Sequence, residues 1–201
     1  MRERPIIMGA DSVRAILDGR KTQTRRVIKP QPIHMPEGAY IDPYNHNYEH
    51  FTAWTLDNKM LLNCGGNIKN TAHWKCPYGV IGDRLWVREI FNCNEEGIAY
   101  KATQPDMDGM PWKSPIYMPR TYSRITLEIT DIRVERLQDI TNNDAKSEGV
   151  EPEVLSGHYY YLSGYHELWQ HLNAKRGYPL ESNPWVWVIS FKQIHDQKED
   201  V

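Results

Sequence analysis

The chain is poor in phenylalanine and cysteine, with three of each, and its longest unbroken apolar run is the stretch Trp185 to Ile189. A membrane-crossing helix needs about 20 consecutive apolar residues, so no membrane partner is expected. No apolar stretch near Met1 reads as a secretory signal. Cys64, Cys76 and Cys93 are odd in number and irregular in spacing. That pattern excludes a disulfide framework and points to a reducing compartment, the cytoplasm. The C-x-x-C pairs of structural zinc sites are missing. Cys64, His73 and Cys76, with Cys93, make a poor ligand set, and ordinary free cysteines are the expectation, with no metal. The P-loop, the G-x-S-x-G elbow, the dinucleotide fingerprint and H-E-x-x-H are all absent, so no cofactor is expected.

A strong net charge is missing too: the formal balance is −2. Any attraction for nucleic acid must therefore come from a local patch. Residues 1 to 30 supply one, with eight Lys/Arg against Glu3, Asp11 and Asp18, a local +5 that leaves −7 on the rest. What the chain has in quantity is seven tryptophans and twelve tyrosines. These side chains join a flat apolar face to a polar handle, which suits both core rims and base stacking.

At 201 residues the chain reads as one domain, residues 1–201, able to bury a core without metal or disulfide staples. Asp11 is a candidate cap for a short helix with Val13, Ile16 and Leu17 at helical spacing and Gly19 as its stop. Residues 30 to 75 show no sustained period and read as an irregular insertion with one hairpin, Phe51 to Leu56 and Met60 to Asn63. "CPYGVIGDRLWVREIF" (Cys76 to Phe91) reads as a turn and a strand in which Leu85 and Val87 share a face, followed by a strand at Ile98 to Ala102. In "RITLEITDIRVERL" the apolar alternation of Ile125, Leu127 and Ile129 slips by one to Ile132 and Val134, which predicts a bulge near Thr130 and Asp131. "TNNDAKSEG" carries a capping box, Thr141 with Asp144, and ends on Glu148 and Gly149. A third helix, about Gly164 to Lys175, is expected to bury Leu168, Trp169 and Leu172. "WVWVISF" (Trp185 to Phe191) is apolar on both faces, as a central strand would be.

The most distinctive stretch is "GRKTQTRR", Gly19 to Arg26. Read generically, a basic run beyond a helix end is a phosphate-contacting or solvated face. In order with Gly82, Asp83, Leu85 and Val87, then "DAKSEG" and "WVWVISF", it resembles the ASCH domain family, especially its longer phage and prophage members. The likeness spans roughly residues 6–29, 76–91, 120–150 and 183–193, about half the chain.

That resemblance implies an α+β fold, a PUA-like small mixed β-barrel with flanking helices, here with long insertions at about 30–75, 92–119 and 150–182. It also implies a cleft for RNA or a modified nucleoside. Compact members include N4-acetylcytidine amidohydrolases, whose lysine, threonine and glutamate would fall on Lys21 as base, Thr24 as nucleophile and Glu148 as acid or orienting group. Arg25 and Arg26 are candidate phosphate or base-edge contacts, with helix capping or a salt bridge to Asp83 or Glu89 as the structural alternative. Arg20 joins them as a substrate-side cation, and Trp86 is a stacking candidate or a core residue.

Lys21 and Thr24 lie three apart and would face opposite sides of a continuous strand. Joint action requires a bend between them. Two readings stay open, an amidohydrolase acting on an acylated nucleoside and a non-catalytic RNA or modified-base binder using the basic 19–29 loop. A ribonuclease ranks below both.

Overall fold

A computed structural model of the chain describes residues 1–31, 40–41, 50–51, 53–54, 74–95, 97–104, 109 and 111–194. Strand β1 (Glu3–Ile7) leads into helix α1 (Ala10–Leu17) and strand β2 (Gln23–Val27). Four two-residue strands follow: β3 (Tyr40–Ile41), β4 (His50–Phe51), β5 (Ala53–Trp54) and β6 (Trp74–Lys75). Then come β7 (Arg84–Arg88), the hairpin of β8 (Phe91–Asn94) and β9 (Gly97–Tyr100), and the long strand β10 (Thr126–Arg136). Helix α2 (Asn142–Ser147), the hairpin of β11 (Glu153–Leu155) and β12 (His158–Tyr160), helix α3 (Leu162–Asn173) and strand β13 (Trp185–Ile194) complete the order.

Five of these strands form one mixed sheet in the order β1-β7-β10-β13-β2, with β1 parallel to β7 and the other pairs antiparallel. The fold is α+β, and the sheet is open among the described residues: β1 and β2 stand at opposite edges and no pairing joins them into a barrel. Pro5 sits in β1, an edge strand, where its missing N–H costs least.

The period of two in β13 explains the two cores. Trp187, Ile189 and Phe191 pack on one face with Val13 and Ile16 of α1. Val186 and Val188 pack on the other with Ala145 of α2 and Tyr165 and Trp169 of α3. The expected bulge is present, since the register of β10 against β13 shifts between Ile129 and Asp131. Its function is plain from the core: Leu127 and Ile129 before it, and Ile132 after it, all reach the α1 face. Without the extra residue, Ile132 would turn to the other side.

Local signals decide the helix ends. In α1, Gly19 adopts φ 72°, the Gly19 N–H donates to the Ile16 carbonyl and the Arg20 N–H donates to the Ala15 carbonyl, a Schellman stop. The start differs from the expectation. Gly9 is the cap, its carbonyl accepting from the Val13 N–H, and Asp11 lies in the first turn beside Arg14. An acid there still favours the positive end of the helix. The capping box of α2 forms as expected between Thr141 and Asp144. Of the hairpin expected over Phe51 to Leu56 and Met60 to Asn63, the second arm and much of the first lie outside the described residues; β4 pairs with β6 and β5 with β3. The strand placed at 98–102 runs instead over Gly97–Tyr100.

Candidate functional site

The chain leaving α1 runs straight into the end of α2. The Lys21 N–H donates to the Ala15 carbonyl and the Thr22 N–H to the Ser147 carbonyl, both at 2.9 Å. This docking depends on Gly149, where a Cβ atom would come within 2.7 Å of both the Ala15 and the Lys21 Cβ atoms, at a φ of 80°. Only a residue without a side chain lets the two segments approach so closely.

The approach brings Lys21 and Glu148 together, each about 95% buried at 4% and 5% exposure. Lys21 Nζ donates to the Glu148 carboxylate Oε2 at 2.8 Å and to the Glu148 backbone carbonyl at 2.7 Å. The second bond puts a cation on the C-terminal end of α2, where the helix dipole is negative. An ammonium carries three protons, so two bonds to Glu148 leave one for another partner. Burial pushes the Lys21 pKa below the ordinary lysine value; Glu148 works against that shift, and Arg26 and Arg25 reinforce it.

The other Glu148 oxygen, Oε1, accepts from Arg25 Nη1 at 3.4 Å. Arg25 is wholly buried and continues the chain of alternating charges, with Nη2 at 3.0 Å from Glu135 and 3.5 Å from Asp144. Arg133 closes it by bonding both Glu135 and Asp144. Arg25 is therefore a structural clamp on the carboxylate of Glu148. Its partners are not the Asp83 or Glu89 offered by the sequence: Asp83 accepts from the Arg2 N–H and Glu89 pairs with Arg124.

Lys21, Thr24, Arg25 and Glu148 all border a cavity of about 1010 Å³ along the edge strand β2. Lys21 precedes β2, which begins at Gln23, Thr24 lies within it, and both border the cavity. Thr24 is buried and pairs in register with Ile189. Arg26 also borders the cavity, with Nη2 donating to the Ile7 carbonyl at 2.7 Å.

Comparison with family models, curated proteins and solved structures finds no match to this chain. The site is therefore read from its own geometry.

Two of the residues expected at the cleft are elsewhere. Arg20 does not border the cavity; it donates to the Gly149 carbonyl at 3.0 Å and pairs with Asp18 and Glu151 at the surface. Trp86 is buried in β7 with the Arg88 guanidinium 4.6 Å from its ring, which is the core role. Among the described residues no group of three His, Cys, Asp or Glu could hold a metal ion, while Cys64 and His73 lie outside them. Cys76 and Cys93 are free thiols, and burial lifts that of Cys76 to about 11. No described helix is long and apolar enough to cross a membrane.

The opposite wall carries no motif in the sequence. Tyr165, Leu168, Trp169, Leu172 and Arg176 border the cavity from α3 and the turn after it. Their spacing of 3, 4, 7 and 11 residues from Tyr165 is one helical face. Leu168 is only half-buried and Leu172 is 48% exposed, because this face meets the cavity instead of closing on a core; Tyr165 and Trp169 are the buried residues. The segment 150–182 thus forms a wall of the cavity. Trp169 Nε1 fixes it further by donating to the Tyr178 carbonyl at 2.9 Å.

Proposed function

We propose that the protein is an amidohydrolase that removes an acyl group from the exocyclic amine of a modified nucleoside, of the N4-acetylcytidine kind. The observation that carries the reading is the buried Lys21–Glu148 pair opening on the same cavity as Thr24. The ASCH resemblance supports it, and so does the order of segments. In that family's terms, the open sheet would be a PUA-like barrel spread by its insertions, with the bulge at Ile129 and Asp131 supplying the curl.

The chemistry asks for a nucleophile, a base, and an acid for the leaving amine. Lys21, its proton affinity weakened by burial, takes the proton of the Thr24 hydroxyl as Thr24 Oγ attacks the acyl carbon. The tetrahedral adduct collapses with cleavage of the C–N bond, and the Lys21 ammonium returns the proton to the departing amine. Water then hydrolyses the threonyl ester by the same route, releasing the carboxylic acid. Glu148 holds Lys21 in place, and Arg25 holds Glu148.

A base with a lowered pKa gives a rate that rises with pH to a midpoint below the ordinary lysine value of 10.5. The test is chromatographic release of cytidine from N4-acetylcytidine by the wild type, Thr24→Val and Lys21→Met. Thr24→Val keeps the shape and removes the hydroxyl, so it should abolish turnover while the thermal midpoint moves little. Wild-type protein that binds the nucleoside without releasing cytidine would favour the non-catalytic binder, for which the cations at Arg26 and Lys29 bordering the cavity are the supporting feature.

A further inference from the structure

The Tyr165 hydroxyl has no function in the reading above, and its setting is unusual. Tyr165 is 3% exposed, borders the cavity from α3, and its hydroxyl has no hydrogen-bond partner among the described residues. Buried polar groups are ordinarily paired, and an exception calls for a reason. Glu148, whose charge is felt at Tyr165, accepts from Lys21 through Oε2 and from Arg25 through Oε1.

The ring itself is well held. It packs at 6.3 Å from the Trp169 ring and 6.4 Å from that of His166, within the second core. Its helix is tied to α2, the helix that presents Glu148, because the Tyr161 N–H donates to Asn142 Oδ1 at 2.7 Å. Tyr165 is thus a rigidly mounted residue bordering the cavity, with its hydroxyl buried and unpaired among the described residues. Burial raises its pKa well above that of free tyrosine, and the Glu148 charge adds to this, so it remains a protonated donor throughout the working range.

We infer that Tyr165 donates a hydrogen bond to the acyl carbonyl oxygen of the bound substrate and stabilises the oxyanion that forms there. The inference rests on the amidohydrolase reading. As Thr24 Oγ bonds to the acyl carbon, the carbonyl π pair moves onto oxygen, and the Tyr165 O–H faces that negative charge without giving up its proton. On collapse the pair returns to re-form the carbonyl and the C–N bond breaks. A preorganised donor of this kind strengthens as charge develops, so its loss acts mainly on kcat.

Tyr165→Phe removes one oxygen and keeps the ring. The expected result with N4-acetylcytidine is a loss in kcat of about 100-fold, a KM within about threefold of wild type, and a thermal midpoint equal to or above wild type. A kcat within twofold of wild type, or a lowered midpoint that accounts for the loss, overturns the inference and leaves the hydrolase reading standing. If the wild type releases no cytidine, the hydrolase reading fails, and tryptophan fluorescence titration with N4-acetylcytidine and with cytidine decides the carbonyl contact alone. Tyr165→Phe should then weaken N4-acetylcytidine about tenfold and leave cytidine unchanged. Equal effects on both nucleosides, or no binding of either by the wild type, overturn it.

Discussion

Lys21 and Glu148 face each other across 2.8 Å in a place water scarcely reaches, and Glu148 is the group there that favours the Lys21 ammonium against burial. Taking one partner out of a buried pair strands the other, which costs about 3–5 kcal/mol, whereas taking out both is often nearly neutral. Lys21→Met and Glu148→Gln should therefore each lower stability by roughly that amount, less for Glu148→Gln because the amide can still accept from Arg25. The double variant should recover most of the loss, as read by urea unfolding in a double-mutant cycle. The same residue sets a pH dependence. The folded-state pKa of Lys21 is lowered, so between that value and the unfolded lysine value near 10.4 the unfolded chain binds more protons. Stability from this group is present above the unfolded pKa and is lost as pH falls through the folded one. Lys21→Met should flatten that slope relative to wild type.

Helix α2 is only six residues long, yet it fixes the carboxylate that Lys21 needs, and its two ends show what a sequence can and cannot reveal. At its exit, Gly149 has a positive φ and two Cβ atoms 2.7 Å from where its own would stand. Gly149→Ala should combine backbone strain with overpacking and cost about 2–4 kcal/mol. It should also part Lys21 from Glu148, so that turnover falls further than the unfolded fraction explains. Thermal unfolding and cytidine release measured on the same sample check both. The capping box at the other end was legible because Thr141 and Asp144 are three residues apart, and the bulge in β10 because its slip in alternation is local too. The clamp from Arg25 to Glu148, Glu135 and Asp144 was not legible: those partners lie more than 100 residues away and meet Arg25 only once β2 pairs with β13. For α3, Leu168 and Leu172 read as core from hydrophobicity alone. Tyr165 was overlooked because a single tyrosine gives no sign that its hydroxyl will be buried and unpaired. Strand β1, carrying Pro5 amid charged residues, lacks a strand signature and forms by parallel pairing with a β7 eighty residues on.

Across the whole molecule, charge is divided unevenly: the first 30 residues hold +5 and the remainder −7. A polyanion would meet attraction near Lys29 and Arg176, which border the cavity. A small neutral nucleoside would feel no such field. If the substrate is the free nucleoside, kcat/KM for N4-acetylcytidine should change by less than about twofold between low and high salt, and Lys29→Ala or Arg176→Ala should leave it within the same bound. An RNA bearing the modified base would behave otherwise. Its binding would weaken with a slope of log K against log salt of about −0.7 per phosphate contacted, and each of those two substitutions would reduce the slope by about that unit. The free nucleoside is the expected substrate. Everything that defines the site, from the Lys21–Glu148 pair to the Tyr165 hydroxyl, is buried and suited to a base and its acyl group, while Lys29 is already engaged at 5.4 Å from the Tyr178 ring. Parallel salt series with N4-acetylcytidine and with a short oligonucleotide containing it would separate the two. A flat nucleoside profile with weak, steeply salt-sensitive oligonucleotide binding supports the small substrate, and a preference for the oligonucleotide that persists at high salt refutes it.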